Sequence, residues 1–447
     1  MDETRALANF VVGMDYDDLP EKVREQAKAC ILDYLGSALY CAESESTQIV
    51  CDFVKAAGCK AESSLIGYDW KTSPQYAALV NGTMGHGFEL DDFHGKSFLH
   101  PGTVVISSAL ALGERENVDG KTFLSAVVLG YEVMIRVGLA VGISHNFRGF
   151  HPTGTAGPFG SAAAAGKVLG LDESRLLDAL GSAGSLSSGI KEFAVTGSMI
   201  KRYHAGKAAE NGIVTALLAS RGFTGPASVL EGKFGFLQAF SDSFDVSKLI
   251  ENLKTQWEIL NINVKPYACC GGLHSMIDGL LAIKKAQKVE SDRISKVLVE
   301  TIEKVALQNS GPGTESVMAA QYSIPFVAAL ALLRDIEDPS VFTDSILQDE
   351  SVLSLSKKVE ILPSIKNAGM EKSRVTIETT KGEKHVKDTE KPKGHPDNPL
   401  DYDAVVKKFK NLSSSVISSD RIEQIIESVS KLQDMPNINE LARLLQK

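Results

Sequence analysis

No pair among the six cysteines is spaced as CxxC, and their scatter along the chain has no resemblance to a secreted disulfide framework. A structural disulfide network is therefore not expected. No long Lys/Arg run appears, and the net charge is −9, so a phosphate-backbone partner is not expected; an anionic metabolite in a local basic pocket remains compatible. The most apolar stretch, Ala126 to Ile143, is interrupted by Glu132 and Arg136, each costly at the centre of a bilayer, and reads as a buried helix. Acidic residues stand in Met1-Asp2-Glu3-Thr4-Arg5 where an export signal needs positive charge, so the expected setting is cytoplasmic and reducing, with no membrane partner. No internal repeat of roughly 20–50 residues is visible.

What is present is an ordinary globular composition, 43% hydrophobic and 23% charged over 447 residues, enough for a sizeable core and more than one domain. To about Asn263 the chain reads as successive helices. Val23, Ala27, Ile31, Leu35 and Leu39 recur every fourth residue after Leu19-Pro20, and further helices are predicted over 73–87, 103–115, 121–141, 157–169, 173–187 and 200–220. The run Ser161-Ala-Ala-Ala-Ala-Gly166 is too small to fill space and is expected to let helix backbones approach. After Pro266 the pattern changes. Lys296–Ile302 and Val375–Thr379 alternate as half-buried strands do, Lys381-Gly382 turns, and a helix over 323–333 lies between them. Helical character returns over 402–409 and 420–445. The expected fold is mainly α, with a large all-helical domain (1–265 plus 400–447) and an inserted smaller α+β domain (266–399).

Four segments concentrate polar chemistry. His86-Gly-Phe-Glu89-Leu-Asp91-Asp92-Phe-His94 through His100-Pro101 places three carboxylates and three imidazoles within fifteen positions. A divalent-metal site, helix capping by the acids, and acid/base proton transfer are all compatible with that density, although HExxH is absent. Gly149-Phe-His151-Pro152 opens a helix whose N–H groups suit a carboxylate or phosphate; the nearby Gly160 to Lys167 stretch fails as a Walker A loop. Lys201-Arg-Tyr-His204 places Lys201 and His204 three apart, able to project together. Lys265-Pro-Tyr-Ala-Cys269-Cys270 precedes His274. The vicinal thiols cannot bridge without strain, and either small-residue packing or a Cys nucleophile served by His274 is compatible.

These segments, in this order and at these intervals, with Gln321-Tyr322 further on, resemble the MmgE/PrpD family, which includes 2-methylcitrate dehydratases, cis-aconitate decarboxylases and iminodisuccinate epimerases. The resemblance spans nearly the whole chain. It implies a homodimeric enzyme without metal or cofactor that moves a proton beside a carboxylate of a small polycarboxylate, in a pocket between the two domains. It places the catalytic positions on Lys201, His151, His100, Glu89 and Tyr322, and substrate contacts on His86, Asp91, Asp92, Lys265, His274 and His204. Relatives that dehydrate or decarboxylate often read Asp where this chain has Glu89, and threonine where it has Phe93. The expected function is thus a lyase, by dehydration or decarboxylation. Epimerisation of a dicarboxylate such as iminodisuccinate is the alternative, and non-catalytic anion binding the third reading.

Overall fold

A computed structural model describes residues 2–447. The protein is mainly α and divides into two compact units: residues to Gly87 with Asp91–Val264 and Asp401–Lys447, and Phe88–Leu90 with Lys265–Leu400.

The first unit is built on buried helices. Helix Glu21–Tyr40 follows Pro20, whose φ of −59° is already helix-compatible, and buries Val23, Ala27, Ile31, Leu35 and Leu39. Tyr402–Ser413 packs on it: Phe409 lies over Gly36, and Lys408 reaches the buried Asp33 at 2.6 Å. The long apolar helix Gly120–Phe147 is capped by Asp119, which accepts from the Thr122 N–H. It is long and apolar enough to cross a membrane, yet most of it is buried in this unit. Its two charges satisfy each other and the backbone. Arg136 donates to Glu132 at 3.2 Å and to the carbonyls of Glu251 and Gln256, while Glu132 accepts the Ile259 N–H. Burial raises the Glu132 carboxyl to about 7 despite Arg136.

Helix Pro152–Val168 begins five residues before the expected Gly157 and runs through Pro158. The glycines and proline read as a loop because of their propensities; complete burial overrides them. Small residues let its backbone close on its neighbours: a Cβ on Gly212 would stand 2.3 Å from Ser161 Cβ, and one on Gly160 2.9 Å from the Gly130 carbonyl. Helices Pro74–Gly85 and Ile200–Ala219 cross as tightly at Gly82 and Gly206. A Cβ on Gly206 would lie 2.1 Å from the Leu79 carbonyl, with no flexible side chain to yield. Gly206→Ala is expected to destabilise the unit by about 1–3 kcal/mol or more, read as a lowered thermal midpoint; a midpoint equal to wild type would contradict this packing.

The second unit carries a four-stranded sheet in the order Val359–Ile365, Ile294–Ile302, Ser373–Thr379, Lys384–Thr389, the first pair parallel and the others antiparallel. Val297, Val299, Val375 and Ile377 face its core, and helix His274–Gln287 packs on it. The strand Val359–Ile365 was not expected: it is mostly solvent-facing and contains Pro363, tolerable because it lies at the sheet edge. The predicted helix over 420–445 is two, Ser419–Ser430 and Asn439–Leu444, separated around Pro436.

Candidate active site

In the first unit, four helix ends converge on one cluster of imidazoles. His86 follows the last turn of Pro74–Gly85, while His100 and His151 each stand immediately before a helix whose first residue is proline. A residue preceding proline is pushed to extended backbone, and proline's missing N–H costs nothing at a helix start. The twice-used His-Pro pair therefore begins a helix and turns a ring out of it, with φ/ψ of −116°/92° at His100 and −96°/104° at His151. Lys201 and His204 come from the first turns of Ile200–Ala219.

Asp91 organises one side. Its Oδ2 accepts from His86 Nδ1 at 2.6 Å and lies 3.0 Å from His100 Nδ1; the His86 and His100 ring centroids are 4.7 Å apart. Burial works to raise the Asp91 carboxyl, but His100 and His86 outweigh it and hold it well below the usual range. Burial lowers His86 to about 4, with Asp91 opposing and Lys201 adding to the fall. The pair is thus an ionised carboxylate and a neutral imidazole, and Nδ1–H donation leaves His86 Nε2, buried and with no hydrogen-bond partner among the described residues, as an acceptor.

His151 stacks 5.8 Å from His86 and shares a 3.2 Å Nδ1–Nδ1 contact with His204. Burial first, then the nearby His86, His204 and Lys201, push its pKa far down, so its imidazolium is a strong acid. The His100 N–H is held by Thr153 Oγ1 at 3.1 Å, and Arg202 Nε donates to the Gly87 carbonyl at 2.7 Å. The structure thus brings together His86, Asp91, His100, His151, Lys201 and His204.

Asp92 sits apart from this cluster. Its Oδ1 accepts the Gly102 N–H at 3.0 Å and its Oδ2 accepts from Tyr131 at 2.8 Å, anchoring the start of the helix that follows His100. Tyr131, like Thr153, was hidden in the sequence inside an apolar or small-residue run. Burial, with Asp33 nearby, raises the Asp92 carboxyl to about 8. The folded protein keeps that proton up to about pH 8, whereas an unfolded Asp loses it near pH 4, so this group makes stability fall as pH rises between those limits. Asp92→Asn removes the titration and is expected to gain stability relative to wild type progressively from pH 5 to 8. Parallel pH-stability curves for the two proteins would contradict the assignment. His94, also in the dense segment, is engaged elsewhere, by Ser97 and Glu258.

The second unit holds the remaining predicted residues. Glu89 is buried at φ +57°, a left-handed conformation uncommon for a non-glycine residue, and its Oε2 lies 3.3 Å from the buried Lys265 Nζ. Gln321 fixes this segment, its Nε2 donating to the Phe88 carbonyl and its own carbonyl accepting from the Cys270 N–H. Tyr322 closes helix Val317–Gln321, and His274 opens its helix with the ring edge-on to Tyr267 at 5.3 Å. Burial raises the Cys269 thiol well above its usual range, which disfavours the thiolate that a nucleophile requires.

His86, Asp91 and His100 also satisfy the donor chemistry of a divalent-cation site, their ligand atoms lying within 4.8 Å of one another. The 2.6 Å Nδ1–Oδ2 separation is that of a charge-assisted hydrogen bond, shorter than two ligands sharing one ion require. The residues as arranged fit proton transfer better than a metal.

The helical unit thus brings imidazoles, a lysine and a carboxylate held below its usual range together, the groups that acid/base chemistry uses. The MmgE/PrpD N-terminal domain matches residues 5–249 and the MmgE/PrpD C-terminal domain residues 267–434; the chain belongs to this family. It is 29% identical to the cis-aconitate decarboxylase of Aspergillus terreus, covering 99% of this chain and 95% of the relative. It is 29% identical to the cis-aconitate decarboxylase-like protein oryM of Aspergillus oryzae, covering 99% and 97%, and 28% identical to human cis-aconitate decarboxylase, covering 99% and 94%.

Proposed function

We propose that the protein is a carbon-carbon lyase that decarboxylates cis-aconitate or a closely similar unsaturated polycarboxylate with its own side chains, without metal or cofactor. The observation that carries this is the joint one: full-length similarity to proteins named for that reaction, and a buried Lys201 among neutral imidazoles. In cis-aconitate one carboxylate sits on a methylene beside a carbon-carbon double bond. Cleaving that carbon-carbon bond releases carbon dioxide and leaves the electron pair in an allylic carbanion, delocalised towards a second carboxylate. A fixed cation lowers the energy of that charge as it develops, which is the role assigned to Lys201. An acid must then place a proton on the far allylic carbon, and His151, costly to protonate and eager to lose the proton, suits it. His100 and His86 surround the same space, and the second unit is the inserted α+β domain.

The test is turnover of cis-aconitate in deuterated buffer followed by NMR. Carbon dioxide release with one deuterium in the product is expected. Water addition or loss would instead mark a hydro-lyase, deuterium exchange without bond cleavage an epimerase, and saturable binding without product a non-catalytic anion binder; each overturns the decarboxylase reading. Dialysis against a chelator is expected to leave turnover unchanged, and its loss would restore the metal reading of His86, Asp91 and His100. We further propose a homodimer in a reducing, cytoplasmic setting. Phe147, Ile190, Val195 and Phe234 are all more than half exposed, the kind of apolar surface a second copy covers, and the six cysteines are free thiols. Sedimentation at twice the 48.0 kDa chain mass is expected.

A further inference from the structure

Decarboxylation consumes one proton per turnover, because the carbon that keeps the electron pair must end bonded to hydrogen while carbon dioxide leaves. His151 is only 5% exposed, so a proton spent from it has to be replaced from water along some path. His204 provides a contact that leads outward. It is partly exposed, and its Nδ1 lies 3.2 Å from His151 Nδ1, so one ring donates and the other accepts.

The two rings are seated deliberately. A Cβ on Gly189 would stand 3.3 Å from His204 Nδ1, and one on Gly154 3.3 Å from His204 Cβ and 2.4 Å from the Ser188 carbonyl. Gly189 thus borders the ring, and Gly154 lets the Ser188 backbone close beside the residue that carries it. The His151 N–H donates to the Gly189 carbonyl at 3.0 Å, and Phe193 packs edge-on to both imidazoles at 5.1 and 5.8 Å. Binding an anion does not require a second imidazole behind the first; passing a proton does.

Resting on the decarboxylase reading, we infer that His204 is a relay residue that carries protons from solvent to His151. A proton adds to His204 Nε2, the Nδ1 proton of His204 crosses to His151 Nδ1, and His151 releases its Nε2 proton to the substrate carbon. Both rings end as the opposite neutral tautomer and reset through water before the next turnover. His204 acts through His151 and does not itself touch the reacting carbon.

The kinetic test compares wild type with His204→Asn, whose amide keeps a polar group at the Nδ1 position but cannot conduct a proton outward, and with His204→Gln as a second variant should the first fold poorly. A fall in kcat of about 10- to 100-fold is expected, at or just below the lower end of what a direct proton-transfer group contributes, with KM unchanged and activity restored by imidazole buffer in a saturable manner. A loss of kcat indifferent to imidazole, or no loss, overturns the relay. A second measurement needs no substrate: with 15N-labelled histidine, wild type is expected to show scalar coupling between the two Nδ1 atoms through one shared proton. Two rings both protonated only at Nε2 overturn the relay. If that coupling is present while wild type releases no carbon dioxide from cis-aconitate, the decarboxylase reading fails and the proton link stands.

Discussion

Lys201→Ala is expected to reduce kcat on cis-aconitate by about 10²–10³-fold, the effect of deleting one fixed charge-stabilising donor from a buried site and equal to about 2.7–4 kcal/mol of barrier. Two features make the effect large. Lys201 is 4% exposed, so little water is available to take over its charge, and it is the cation whose field already depresses His86 and His151. The loss should fall on kcat more than on KM, because the carbanion carries charge at a position where the ground-state substrate carries less. Lys201→Arg is expected to recover only part of the rate, because a planar guanidinium does not present its charge as a compact ammonium does. Circular dichroism and thermal melts of both variants are the check that the fold survives the change. Near-normal kcat in Lys201→Ala with the fold intact would remove the central element of the proposed chemistry.

Much of this arrangement is legible in the residues. The helices of the first unit follow from four-residue spacing and proline punctuation, and the chemically dense segments at His86–His100, His151 and Lys201–His204 do converge in space. Where the reading departs from the structure, burial and tertiary pairing decide. Gly154, Gly157 and Pro158 are helix breakers by propensity, yet they lie inside a buried helix because small residues allow close crossing. The strand Val359–Ile365 is invisible to alternation because it is an edge strand stabilised by its partner Ile294–Ile302. Asp91 and Asp92 show the limit most clearly. Adjacent and chemically identical in sequence, one is held well below the usual range by imidazoles, and the other is raised to about 8 by burial and Asp33 against the hydrogen bonds from Tyr131 and Gly102. Only the three-dimensional neighbours separate the roles. The 3.2 Å contact between His204 and His151 is likewise not visible in the sequence, where the two lie 53 residues apart.

Asp91→Asn should therefore be far more damaging to turnover than Asp92→Asn. A single oxygen of Asp91 accepts from His86 at 2.6 Å and lies 3.0 Å from His100 Nδ1. An asparagine offers one acceptor and one NH2 donor. If the NH2 faces His86, Nδ1 must become the acceptor, the ring shifts to its Nε2–H tautomer, and the acceptor now presented at Nε2 disappears. The same isosteric change at the acid of a Ser-His-Asp triad keeps the geometry and removes about 10⁴-fold in rate. Here the two rings share the work with His151, and a loss of about 10²–10⁴-fold in kcat is expected. The pH dependence gives an independent check. Asp91 is depressed in the folded state, so its contribution to stability is present above the unfolded value near 3.9 and is lost only as pH falls towards its folded value. His86 is lowered to about 4 from an unfolded value near 6.5, so the unfolded chain binds the extra proton first and stability falls as pH drops between those limits. Asp91→Asn removes the anion that opposes the fall in His86, which should carry its titration still lower and begin acid unfolding at higher pH than in wild type. The tautomer is read directly from the 15N shifts of His86: Nδ1–H in wild type and Nε2–H in the variant. Unchanged shifts together with a kcat within a few-fold of wild type would show that Asp91 does not set the protonation of this site.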